Sequence, residues 1–468
     1  MKKFVLYSLM LSALVSTTAC RNIEEDGPTI IKDGGNGNGG DTENLILSGK
    51  ITSDLTLKAN KIYKLRGLVY VTKGATLTIE PGTKIVGEAD KNGALIITRG
   101  SKIMAKGTAT NPIIFTSEKP NPKRGDWAGL VILGNAPTNA TFKGQNGVGE
   151  MEGGINDADG LGLYGGNNAA DNSGVLQYVR VEYAGYAFLP DKEINGITFG
   201  GVGNGTLVDY VEVAYANDDS FEWFGGTVNC SHLIAYKGLD DDFDTDNGYS
   251  GNVQFGIAVR DSQVADVSGS NAFESDNDAN GSSTAPQTSA TFSNMTVIGP
   301  INSAAPGQIN ALFQNALQIR RNSSISVFNS VFTGYPVGLF IDATKGTATD
   351  LNITGNRLFF ENNVLAGNTT PLKFGPSTPT TYSIELLTTW FNNGGNSILG
   401  ATTDVKLTNA WAPAGTTPNF APASGSPLLG GAKFTNTKVS NWFQKVAYKG
   451  AVADINDTWY AGWTNFNL

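Results

Sequence analysis

Short runs in which apolar and polar residues alternate recur between residues 45 and 370, separated by Gly, Asn, Asp and Pro. Leu77-Thr78-Ile79, Ile113-Ile114-Phe115, Val211-Glu212-Val213-Ala214-Tyr215, Ile325-Ser326-Val327-Phe328 and Arg357-Leu358-Phe359-Phe360 have this form, while Ala94-Leu95-Ile96-Ile97 and Gly129-Leu130-Val131-Ile132-Leu133 are nearly all apolar. Strands this short at this spacing predict an all-β chain, either a sandwich or a solenoid. Internal repeats favour the solenoid. Tyr178-Val179-Arg180-Val181 returns as Tyr210-Val211-Glu212-Val213, and Val213-Ala214-Tyr215 returns as Ile234-Ala235-Tyr236. Segments 290–298, 324–332 and 351–358 share a turn-then-strand pattern with asparagine between the strands, and asparagine tolerates the left-handed backbone of a coil corner. A sandwich would show hairpin dipeptides, and no clear pattern of them appears. The prediction is therefore a parallel β-helix over 45–370, each coil stacked on the one before.

One repeat carries chemistry. Asp218-Asp219-Ser220-Phe221-Glu222-Trp223-Phe224 aligns with Asp240-Asp241-Asp242-Phe243-Asp244-Thr245-Asp246 at an offset of 22, and Phe273-Glu274-Ser275-Asp276-Asn277 follows at an offset of 30. Stacked coils would bring Glu222, Asp244 and Glu274 together, and likewise Asp246 and Asp276. Like charges one strand apart repel, so such a column calls for a cation, shared protons or solvent. Oxygen donors without His or Cys suit calcium. Glu222, Asp244, Asp246, Glu274 and Asp276 are the predicted metal ligands. Asp218, Asp219, Asp240, Asp241, Asp242, Trp223 and Arg260 are the predicted ligand-binding residues, with Trp223 weighed as either a sugar-stacking ring or a buried one. Asp242, Asp244 and Asp246 are not an EF-hand, because Gly248 stands one position late and Val253 occupies the place of the closing acid. The plainer alternative is a set of solvated corners whose acids satisfy backbone donors.

Residues 1–19 have the form of an export signal: Lys2 and Lys3, an apolar run over 4–15, then small residues before Cys20. Cys20 is the expected lipidation site, in a sequence resembling a lipobox with Thr17 in place of the usual leucine. Residues 20–44 form a tether rich in Gly and Asn. These features predict an outer-membrane, lipid-anchored protein exposed on the cell surface. The remaining cysteine, Cys230, leaves no internal disulfide, and the net charge of −9 disfavours nucleic acid. His232 is the sole histidine, which excludes multi-histidine metal centres and is read as structural. Glycine-rich stretches at 141–174 and 262–287 are expected to leave the coils as groove walls. From 371 to 468 the chain becomes aromatic-rich, with Trp411, Trp442, Trp459 and Trp463, and is expected to cap the solenoid.

Leu77-Thr78-Ile79-Glu80-Pro81-Gly82-Thr83, Asn111-Pro112-Ile113-Ile114-Phe115, the run GDWAGLVILG over 125–134, NDDSFEWFGG over 217–226 and the acid run over 240–248 resemble the right-handed parallel β-helix surface lipoproteins of Bacteroidota. The resemblance implies a β-helix on the cell surface, working beside outer-membrane nutrient transporters. It implies no particular activity. Three functions fit the residues: cation-dependent binding of an extracellular ligand such as a glycan; a polysaccharide lyase or glycoside hydrolase using the same acids; and a structural accessory of a transporter. For a hydrolase, the Gly-His-Gly and Arg-Ile-Lys elements that accompany paired acids in polygalacturonase-type enzymes are missing, and a lyase would need Lys237 or Arg260 as its base.

Overall fold

The computed structural model describes residues 31–32, 44–189, 192–301, 308–378, 382–412 and 416–468. The expected export signal, Cys20 and the tether, apart from Ile31, Lys32 and Asn44, lie outside the described residues. The body is a right-handed parallel β-helix, and its strands pair in parallel from coil to coil. Three faces make up each coil. The first carries the strands Ala94–Ile97, Gly129–Leu133, Ile197–Gly200, Phe221–Phe224, Phe243–Asp246, Phe273–Ser275, Asn315–Ile319 and Val337–Asp342. The second and third are the two halves of longer strands such as Leu207–Ala214, Asn229–Tyr236 and Asn252–Val259.

A single left-handed residue bends each long strand between those two faces. Tyr178, Tyr210, His232 and Phe255 do so in the middle coils, and Asn294, Asn329 and Asn362 in the later ones. Asparagine fills this corner at low steric cost. The aromatic occupants form a continuous stack, with ring centroids 4.4 Å apart for Tyr178–Tyr210, 4.3 Å for Tyr210–His232 and 5.1 Å for His232–Phe255. His232 is a member of that stack, and its Nδ1 lies 2.8 Å from Asp209 Oδ1.

Two repeat alignments need correction. Val213 pairs with Ala235 and Ala214 with Tyr236, one residue away from the register read from sequence. The third asparagine repeat is not 351–358, which holds the short helix Asp350–Thr354, but the strand pair around Asn362.

Strand alternation sets what faces inward. Phe221, Phe243 and Phe273 stack in the core with centroids 5.7 and 5.0 Å apart, joined by Trp223, Phe199 and Tyr249. The residue after each phenylalanine must then face outward. Over the earlier coils of the first face, Met151, Ile155 and Tyr164 of the first insertion pack on Tyr70, Ile96, Val131 and Leu133. The second insertion meets the segment just ahead of the first where Asn139 Nδ2 donates to the carbonyls of Asn277 and Pro286. The aromatic C-terminal region covers the solenoid in two parts. The helix Ile384–Asn393, capped by Ser383, closes the end of the core through Leu387 and Phe391, the latter 5.8 Å from Phe360. The final residues instead run along the flank, where Phe420, Tyr460, Trp463 and Phe466 pack on Ala214, Ile234, Tyr236 and Ile257. Among the described residues no helix is long and apolar enough to cross a membrane.

Candidate functional site

Two columns of polar residues rise side by side where the chain enters the first face. At the corner stand Asn195, Asp219, Asp241, Asn271 and Asn315. Three residues later on the strand stand Thr198, Glu222, Asp244, Glu274 and Gln318, in parallel register from coil to coil. Three of the five corner side chains accept a backbone N–H from the next coil: Asp241 N–H donates to Asp219 Oδ1 (2.8 Å), Asn271 N–H to Asp241 Oδ1, and Asn315 N–H to Asn271 Oδ1 (3.2 Å). Part of the corner column thus satisfies donors that stacking would leave bare, as the plainer reading has it, but Asp219 and Asp241 do so while buried and not as solvated corners.

The amides do a second job. Asn195 Nδ2 donates to Glu222, Asn271 Nδ2 to Glu274 Oε2 (3.3 Å) and Asn315 Nδ2 to Gln318 Oε1 (3.3 Å). Asp219 and Asp241 have no such N–H to give when ionised. One carboxylate oxygen each from Asp219, Glu222 and Asp244 come within 4.8 Å of one another, and the same holds for Asp218, Asp219 and Asp240. Oδ1 of Asp244 and Oδ1 of Asp240 are buried without a protein partner.

Burial drives the titration of these groups, and mutual repulsion adds to it. Asp219, Glu222, Asp244 and Glu274 are pushed well above the usual carboxylate range, first by desolvation and then by neighbouring acids. Desolvation followed by Asp241 raises Asp240 to about 9, and desolvation followed by Asp276 raises Asp246 to about 8. Asp276 itself is held at the far end by Arg320 Nε (2.9 Å) and Arg321 Nη1, while Arg320 also pairs with Glu274. At the near end Glu152, from the first insertion, adds its charge beside Glu222. Asp240 is reached from the second insertion, where Ser268 Oγ donates to it at 3.0 Å.

A family model described as a pectate-lyase like beta helix domain matches residues 49–414. The chain belongs to that family. No curated protein and no solved structure matches it.

Within this pectate-lyase-like β-helix, three predicted ligand-binding residues turn away from any ligand. Trp223 is fully buried, stacked between Phe199, Phe221 and Tyr249, because strand alternation sends it inward with Phe221. Arg260 and Asp242 form a fully buried ion pair at 2.9 Å, with the guanidinium 5.2 Å from the Phe313 ring centre. Burial lifts Asp242 to about 7 despite Arg260. Lys237, the other base considered, lies over the rings of Tyr236 and Tyr215. The structure brings the remaining predicted acids into one run along the first face. Sequence reading missed Asn195, Asn271 and Asn315, although the recurring Asn/Asp three residues ahead of Thr, Glu, Asp or Gln was the available signal. It also missed Glu152, for which the sequence offers no register, because insertions do not repeat.

Proposed function

We propose that this pectate-lyase-like β-helix is a lipid-anchored surface protein that binds an acidic glycan through calcium held in the acid column. The carrying observation is the Asp219, Glu222 and Asp244 group, with its oxygens within 4.8 Å and a buried Asp244 oxygen lacking a protein partner. Calcium takes six to eight oxygens, and a set of carboxylates without His or Cys matches its chemistry. Asp219, Glu222 and Asp244 would hold the ion, with Asp218 and Asp240 serving a second. A bound divalent ion offsets the repulsion that now raises these groups, and its outer side would accept the carboxylates of a uronic-acid polymer. The family's fold supports a carbohydrate ligand. Membrane attachment through Cys20, and work beside an outer-membrane transporter, belong to the same proposal.

Binding is favoured over turnover by the surrounding charges. Inverting hydrolysis needs carboxyls about 6.5–9.5 Å apart, wider than these triads. A lyase needs a free base beside the acids, whereas Arg320 and Arg321 are committed to Glu274 and Asp276, Arg260 to Asp242, and Lys237 lies over the rings of Tyr215 and Tyr236. Calorimetric titration with calcium, followed by polygalacturonate with and without chelator, tests the proposal. Heat from calcium and chelator-sensitive polymer binding without bond cleavage are expected. Absence of any calcium heat would remove the reading, and release of unsaturated products would convert it to a lyase.

A further inference from the structure

Away from the acid column, a cavity of about 350 Å³ opens on the second face. Its floor is the outer side of the strands Leu207–Ala214 and Asn229–Tyr236, and one wall is Trp442 of the C-terminal run. Trp442 is the only exposed tryptophan among the described residues, at 39 %, and Leu207 beside it is 45 % exposed. The indole is seated edge-on against Phe443 at 5.1 Å, and Phe443 is buried with Phe328 and Val439. The exposed ring is thus held in place by its neighbour. The lining also includes Asp209, Asn229 and Ser231. Asp209 is oriented by His232, and Asn229 by the Nδ2 of Asn252 at 2.9 Å.

We infer that this cavity is a second binding site, for a neutral sugar. Its geometry pairs a flat aromatic surface with a short row of hydrogen-bonding groups, as a pyranose requires with its C–H face and hydroxyl rim. Asp209, the one acid in the lining, would accept paired hydroxyls and repel a uronate, so the ligand differs in charge from that proposed for the acid column. The volume suits one or two rings. The inference goes beyond the cation reading and does not depend on it, since no residue is shared.

The test is saturation-transfer NMR on the whole protein in EDTA, using glucose, galactose, mannose, cellobiose, lactose and mannobiose as probes. At least one should receive saturation. Trp442→Ala should weaken it about tenfold, the scale of a lost stacking contact, and Trp442→Phe should retain part of it. Asp244→Asn should leave it unchanged. Silence from every probe, equal binding by folded Trp442→Ala, or binding that appears only when calcium replaces EDTA would overturn the inference. The first two outcomes leave the calcium reading intact, and calcium heat can fail while sugar binding persists.

Discussion

Asp219 and Asp241 occupy places in a ladder where Asn195, Asn271 and Asn315 would serve the fold better. Asparagine keeps the oxygen that accepts the next coil's N–H, and it adds an amide donor for the acid three residues on. The acids keep the first role and forfeit the second, at the cost of buried repulsion. A locally unfavourable choice of this kind fits the role in calcium binding proposed for these acids. The double substitution Asp219→Asn/Asp241→Asn should therefore raise the melting temperature in chelator and abolish the rise on adding calcium. Differential scanning calorimetry in both conditions decides it, and a lowered apo melting point would show the acids to be structural. The pH dependence carries the same sign. Asp246, raised to about 8, and Asp240, raised to about 9, bind protons more tightly folded than unfolded. Their contribution is complete below the ordinary carboxylate value, near 4, and is lost as pH climbs through 8 and 9. Thermal melts in EDTA should fall between pH 5 and 9, and calcium, which favours the ionised forms, should flatten that slope.

A strand of the first face couples packing to chemistry through alternation. Phe221, Phe243 and Phe273 were legible in the sequence as anchors, because they kept register across unequal spacings of 22 and 30 residues. Their register predicted that Glu222, Asp244 and Glu274 would line up. The same rule, applied one residue further, turns Trp223 inward, so that its burial was also available from the sequence. Arg260 was not. Its partner Asp242 belongs to the acid run, and only the three-dimensional corner turns that residue inside while Asp241 and Asp244 stand in the two polar columns. At this scale Phe243→Ala should cost about 3–5 kcal/mol and weaken calcium binding without removing any ligand. Chemical denaturation and calorimetry together check it. Loss of stability with unchanged calcium affinity would mean that the ladder does not hold the acids in register.

Across the whole molecule, the tryptophans near the C-terminus read as a cap on the open end of the solenoid. That end is closed by the helix Ile384–Asn393, whose apolar spacing was legible. The last ten residues are a strap on the flank, since the aromatic corner stack and the apolar outer face of three coils leave a surface that needs cover. The strap is held at defined points. Both carboxylate oxygens of the fully buried Glu212 accept Asn465 N–H (3.3 and 3.1 Å), Arg180 Nη1 donates to the Trp463 carbonyl (3.4 Å), and Tyr236 Oη donates to that of Phe466 (3.2 Å). Trp463 stands edge-on to Tyr178 and Tyr210, and Trp459 to His232. The strap packs on Ala214, Ile234, Tyr236 and Ile257, whereas the acid column lies along the first face. Deleting 459–468 should lower the melting temperature and increase binding of a hydrophobic dye, because Tyr236, Ile234 and Ile257 lose their cover. Calcium affinity should be unchanged, since the phenylalanine ladder that sets the acids' register belongs to a separate core. A truncated protein that folds but no longer binds calcium would show that the strap transmits to the acid column, and the two faces would then have to be treated as one coupled unit.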